Sequence, residues 1–154
     1  MPAQLTGSCL CGAIKYTISA PVTELRACHC TNCQKASGAG GSVNAAVPSS
    51  AFKLTQGTPK RYASIADSGR TLYRYFCGDC GSPIYSQRAT TPETMMVRAG
   101  TLDDTSGLKI TASIWTRSAR APGATSSPRA GSSPPSPTRP PRRSEDQRAS
   151  DCFS

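Results

Sequence analysis

The sequence predicts an all-β domain followed by a tail of different composition. Three observations carry this. Apolar and polar residues alternate over short runs. Gly, Pro, Ser and Asp punctuate those runs at close intervals. Only one stretch of note, Thr31–Ser37, reads as a helix. The chain has 154 residues, of which 36% are hydrophobic, which fits one domain with a modest core.

The elements follow in chain order. Residues 13–18 set Ile14, Tyr16 and Ile18 on one face and Lys15 and Thr17 on the other. Strands are expected next at 43–47 and 60–64. At 71–76, Leu72, Arg74 and Phe76 oppose Tyr73 and Tyr75. Further strands are expected at 83–86, 95–98 and 110–115. Ser68-Gly69, Gly78-Asp79, Gly81-Ser82-Pro83 and Asp103-Asp104 mark turns between them. No apolar run approaches the roughly 20 residues a membrane helix needs. The first eighteen residues lack the basic-then-apolar order of a secretory signal. A cytoplasmic, reducing location is therefore expected, where cysteines serve metals or thiol chemistry rather than disulfides.

Composition breaks near Arg117. Residues 117–154 hold seven of the thirteen prolines, nine serines and seven arginines. Such a segment cannot bury enough apolar surface to offset its chain entropy, so a disordered tail is expected after a domain at 1–116. The formal charge of +9 divides into +4 on the tail and +5 on the body. A basic balance invites a nucleic-acid partner, but nearly half of it lies outside the domain. Seven thiolates set against two divalent ions would take three more charges from the body, leaving an ordinary +2. That argues against nucleic acid.

Eight cysteines carry the chemistry. Cys9-Leu10-Cys11-Gly12 is C-x-C-G; Cys28-His29-Cys30-Thr31-Asn32-Cys33 is C-x-C-x-x-C; Cys77-Gly78-Asp79-Cys80-Gly81 is C-x-x-C-G; Cys152 stands alone in the tail. C-x-x-C on a tight turn aims two sulfurs at one metal, and a following glycine can take positive φ. Pairs from near residues 10 and 78 would close one four-cysteine site. The middle cluster supplies three ligands and leaves the fourth tetrahedral position open, the catalytic pattern for zinc. A closed second site completed by His29 is the alternative, and spacing alone leaves other pairings open.

Four motifs in order then resemble a known family. They are G-S-C-L-C-G at 7–12, C-H-C-T-N-C-Q-K-A-S-G at 28–38, Y-F-C-G-D-C-G-S-P-I-Y at 75–85 and A-G-T-L-D-D at 99–104. Together they resemble the glutathione-dependent formaldehyde-activating enzymes, also called the centromere-protein-V-like domain, over residues 5–115. The resemblance implies an Mss4-like fold of coiled antiparallel β-sheets with zinc knuckles. It implies two Zn²⁺ per chain: a structural zinc on Cys9, Cys11, Cys77 and Cys80, and a catalytic zinc on Cys28, Cys30 and Cys33. It also implies a carbon–sulfur lyase whose partners are a small-molecule thiol such as glutathione and an aldehyde, with S-hydroxymethylglutathione as the adduct. A non-enzymatic module with two structural zincs and an acidic or chromatin partner is the competing class.

The sequence departs from the family at its end. Ser113 stands where members carry a histidine before Ile114-Trp115, and the apolar pattern stops after Ser118. A shifted reading frame or mis-spliced gene is the expected source of the tail. Lys35 and Ser37 follow the middle cluster and are candidates for an anionic substrate. Arg74, Arg88 and Arg98 are candidates for its carboxylates, each also readable as an exposed strand residue. Tyr73, Tyr75, Phe76 and Tyr85 are read as core or pocket wall, and Asp103 and Asp104 as turn formers.

Overall fold

The computed structural model describes residues 4–66 and 68–120. The chain divides into Met1–Ala121 and Pro122–Ser154. The second unit lies outside the described residues, and with it Cys152 and most of the expected tail.

Ten strands and one helix make the first unit. The strands are β1 (Leu5–Ser8), β2 (Lys15–Ile18), β3 (Glu24–Cys28), β4 (Ser42–Pro48), β5 (Phe52–Gln56), β6 (Lys60–Ile65), β7 (Thr71–Phe76), β8 (Pro83–Arg88), β9 (Thr91–Arg98) and β10 (Lys109–Ile114). The helix, α1, spans Thr31–Ser37 as its sequence predicts. The domain is all-β, as expected. Among the described residues no helix is long and apolar enough to cross a membrane.

The strands form two sheets. The smaller has the order β1-β2-β5, and the larger β10-β3-β4-β9-β8-β7-β6. Pairing is antiparallel except at one edge, where β10 lies parallel to β3. That pair departs from the expected all-antiparallel arrangement. A parallel neighbour requires a long crossover, and here the rest of the larger sheet intervenes between the two strands.

Side-chain parity on the larger sheet decides what is core and what is site. One face carries Leu25, Ala45, Val47, Met95, Val97 and Tyr85, all buried. It packs against the smaller sheet, whose Ile14, Tyr16 and Ile18 are 2%, 1% and 0% exposed. An aromatic series joins the sheets. Tyr16 stacks on Phe52 at 4.9 Å, Phe52 meets Tyr85 at 5.0 Å, and Tyr85 stacks on Tyr75 at 4.3 Å. These separations suit offset and tilted ring pairs. Tyr75 and Tyr85 thus belong to the core. Tyr73 lies instead under the Arg61 guanidinium.

The opposite face carries Arg26, Asn44 and Arg98 in one row. Arg26 pairs Asn44 across β3 and β4, and Asn44 pairs Arg98 across β4 and β9. Ser86, Met96 and Ala46 form the neighbouring row. This face is open, and the candidate site stands on it.

Three strands escape the sequence pattern. β1, β3 and β5 are short, and β1 contains Gly7 where a strand prefers a side chain. The glycine is needed because a Cβ there would sit 2.2 Å from the Tyr16 ring. Trp115, read as the last strand residue, instead follows the strand with φ 59°, the one non-glycine residue with positive φ among those described. It opens a 3-10 turn, Thr116–Ser118.

Candidate metal centre and cavity

Two groups of thiols gather as the spacing suggests. Cys9, Cys11, Cys77 and Cys80 have all their sulfurs within 4.8 Å of one another, as do Cys28, Cys30 and Cys33. The first group joins two knuckles 66 residues apart along the chain. In one, the Gly12 amide donates to the Cys9 carbonyl and the Ile14 amide to the Cys9 sulfur at 3.2 Å. In the other, the Gly81 amide donates to the Cys77 carbonyl and Ser82 meets the Cys80 sulfur at 3.2 Å. Gly12 and Gly81 have φ of 72° and 75°, the left-handed turn that a side chain resists. The Leu10 amide donates to the Ser82 hydroxyl, tying the knuckles together.

The second group is local. Cys28 ends β3, Cys30 caps α1 and Cys33 sits in the helix's first turn. The Cys33 amide donates to the Cys30 sulfur at 3.3 Å, the bond an N-cap side chain accepts from the third helical residue. The C-x-x-C spacing therefore caps the helix and gathers sulfurs at once. Gly38 at φ 67° ends the helix.

Both groups fit a tetrahedral metal. Sulfurs at about 2.3 Å from zinc stand about 3.8 Å apart. Cys9–Cys11, Cys11–Cys77 and Cys28–Cys30 sulfurs are 3.5, 3.7 and 3.6 Å apart. The four-thiol group supplies a full set of ligands. The three-thiol group gains no fourth His, Cys, Asp or Glu among the described residues. His29 is not part of the group; its Nδ1 meets the Gly40 carbonyl at 3.2 Å.

The three thiols line a cavity of about 460 Å³ on the open face of the larger sheet. Arg26, Arg70, Arg88 and Arg98 also line it, against one acid, Glu93, among the described residues. Ala46, Leu72, Met96, Ile114 and Trp115 give it apolar surface. None of the four-thiol sulfurs reaches it. Trp115 is 63% exposed at the cavity wall. Its turn is held to the cysteine helix by Gln34, whose Nε2 donates to the Ser118 and His29 carbonyls, both at 2.7 Å.

The thiols differ in acidity. Burial raises Cys33, but hydrogen bonding from Ser42, Cys30 and Cys28 and the Arg98 charge outweigh it and hold the thiol below its usual range. Burial pushes Cys28 up to about 12, with Cys33 adding to the rise. In the four-thiol group Cys80 is lowered to about 6, Ser82 and backbone donors overcoming burial, while burial raises Cys77 to about 12. Each group thus has at least one thiol held below its usual range, Cys9 and Cys80 in the first and Cys33 in the second.

The other sequence candidates fall as follows. Arg98 is buried, not exposed, and faces the thiols. Arg88 lines the cavity, and Arg74 binds the Ser64 hydroxyl beside it in the sheet. Lys35 does not line the cavity. Ser37 closes the turn after α1, donating to the Gly41 carbonyl at 2.7 Å. Asp104 accepts from the Ser106 amide, as a turn former does, whereas Asp103 accepts from the Thr6 and Ser8 hydroxyls of β1, 97 and 95 residues away. Ser113 is exposed on β10. Sequence reasoning missed Ser42 and Asn44. Their signal was the alternation in SVNAAVP, where polar residues share one parity and Val43, Ala45 and Val47 the other.

A family model described as glutathione-dependent formaldehyde-activating enzyme matches residues 4–118. The chain belongs to this family. It is similar to glutathione-dependent formaldehyde-activating family proteins of Penicillium rubens, 32% identical over 79 residues, and Sordaria macrospora, 34% identical over 76. Those matches take in 51% and 49% of this chain but 40% and 31% of the relatives' lengths. A crystal structure of a Rhodobacter sphaeroides protein shares the fold, with TM-score 0.51 and 22% identity over 64% of this chain and 87% of that one. As in the family pattern, the glutathione-dependent formaldehyde-activating motifs at 7–12 and 75–85 meet in one thiol group, while 28–33 forms the other by itself.

Proposed function

We propose that the cavity joins a small-molecule thiol to an aldehyde and reverses that addition, of the type glutathione plus formaldehyde giving S-hydroxymethylglutathione. The carrying observation is the contrast between the thiol groups: four gathered away from the cavity, and three lining it with no fourth ligand among the described residues. In this reading Cys9, Cys11, Cys77 and Cys80 hold a structural zinc. Cys28, Cys30 and Cys33 hold a catalytic one. When bound there, zinc supplies an open coordination position that lowers the pKa of an incoming thiol.

The chain's own residues do the rest. Arg26, Arg70 and Arg88 give the cavity positive charge that suits the two carboxylates of a glutathione-type thiol. Leu72, Met96 and Trp115 give the cavity apolar wall against which the substrate's uncharged part packs. The thiol loses its proton, its sulfur attacks the carbonyl carbon, and the C–S bond forms as the C=O π pair moves to oxygen. That oxygen takes up one proton, so no oxidant or reductant enters. A closed, purely structural second site would need a further ligand, and His29 does not join the three sulfurs.

The test is zinc analysis and turnover of Cys28→Ser beside the unmodified protein. Two zincs falling to one, with loss of thiol–aldehyde turnover, is the expected result. Unchanged turnover in the variant would exclude this mechanism.

A further inference from the structure

Beside the three thiols lies a buried charge that makes no ion pair with an acid among the described residues. Arg98 is 8% exposed and is the one charged residue among the buried described residues. Its Nη1 donates to Asn44 Oδ1. Asn44 in turn donates through Nδ2 to the Ser42 carbonyl at 3.2 Å and hydroxyl at 3.1 Å. Ser42 stands opposite Cys28 across β3 and β4, and its hydroxyl favours the Cys33 thiolate. Three of the four buried polar residues therefore form one chain, Arg98–Asn44–Ser42, which begins and ends at the thiol group.

Burial disfavours the Arg98 charge. The charges acting on it are those of Cys33, Arg74 and Cys28. Arginine does not escape burial by losing its proton, so a buried guanidinium needs an anion nearby. The second cation deepens that need: the buried Arg74 Nε has no hydrogen-bond partner among the described residues. The anions within reach are the thiolates. The four-thiol group has no such cation, and neutral donors, the Ile14 amide and the Ser82 hydroxyl, serve its sulfurs.

We propose that Arg98, braced by Asn44 and Ser42, is the fixed counter-charge of the Cys28–Cys30–Cys33 group and makes it accept an anionic fourth partner in preference to a neutral one. The inference rests on the metal site of the preceding reading. Three thiolates around a divalent ion carry one net negative charge, and an entering thiolate makes two. Arg98 offsets one of them from a largely buried position, where such an interaction is less screened than at the surface. It acts through Cys33 and is a positioning residue for the group.

The experiment uses the cobalt-loaded full chain and reads the sulfur-to-cobalt charge-transfer band during titration with 2-mercaptoethanol and, separately, with imidazole. Arg98→Met should weaken the thiol about 10–100-fold, the usual range for losing a partner just outside the ligands. It should leave imidazole affinity unchanged, and Arg98→Lys should restore most of the thiol affinity. Equal thiol affinity in Arg98→Met and the unmodified protein overturns the proposal. So does an equal loss for both probes, which would mark a merely structural role. Should Arg98→Met lose its metal, Asn44→Ala carries the test: a thiol-to-imidazole ratio that does not fall there overturns the proposal. Thiol binding at cobalt without aldehyde turnover in the zinc protein would sink the proposed reaction and leave the counter-charge standing.

Discussion

The Tyr16 hydroxyl lies 2.8 Å from the Thr101 hydroxyl. Thr101 gives its own proton to the Arg98 carbonyl at 2.8 Å, so Tyr16 donates. One polar chain thus runs from the smaller sheet to the end of β9, where Arg98 turns toward the cavity. Tyr16→Phe leaves the Thr101–Arg98 bond intact and removes one buried hydrogen bond. A loss of about 1 kcal/mol is expected in urea unfolding, with the zinc content unchanged.

Gly7 allows the same tyrosine to approach the backbone of β1. An added Cβ would lie 2.2 Å and 2.3 Å from Tyr16 side-chain atoms and 2.6 Å from the Thr101 carbonyl. Side chain and backbone both block it, so relaxation must move a strand. Gly7→Ala should cost about 1–3 kcal/mol, measured as a fall in the denaturant midpoint. A midpoint within error of the unmodified protein would show that β1 shifts freely.

Two buried phenols predict an alkaline limit. Burial raises Tyr16 and Tyr85 from 10 to about 12, with Thr101 opposing the rise at Tyr16 and Tyr75 adding to it at Tyr85. The folded state therefore holds these protons more tightly than the unfolded chain. Their contribution to stability is complete below pH 10 and lost as pH rises toward 12. Thermal melts of the metal-loaded protein should show the midpoint falling across that window. The fall should be shallower in Tyr16→Phe. An unchanged slope would place the titration elsewhere.

Trp115 is the only tryptophan of the chain, and it borders the cavity. Its emission should change when a thiol enters, and the change should saturate. Gln34→Ala removes both bonds from Nε2 to the Ser118 and His29 carbonyls. That variant should lower the fluorescence anisotropy of Trp115. Anisotropy equal to that of the unmodified protein would mean the turn holds without the amide.

Legibility in the sequence followed physical locality. The helix was readable because Cys30 and Gly38 mark its ends, and the Ile14–Tyr16–Ile18 face because one side of β2 is fully buried. The three-thiol group and the two separate knuckles were readable because ligand spacing is a short-range property; that the knuckles meet in one group followed from the family resemblance. β3 was not, since its ELRAC text buries Ala27 and Cys28 on successive positions and breaks the alternation. Arg98 was misread as exposed because its burial depends on Asn44 and the thiols, residues 54 or more positions away. A lone arginine at a strand end carries no sign of such partners. Trp115 looked like strand because aromatics favour strands, and nothing local announces its positive φ.

The thiol groups also differ in how far apart their members lie along the chain. Cys28, Cys30 and Cys33 fall within six residues, so gathering them closes almost no loop. Cys11 and Cys77 stand 66 residues apart, and bringing them together constrains nearly all the intervening polypeptide. On a ribosome the first group is complete while most of the larger sheet is still unmade. The second must wait for β7 to emerge. The order of synthesis thus lets the three-thiol group gather early as a local cluster, while the four-thiol group, which brings residues near 10 and 78 together, forms later.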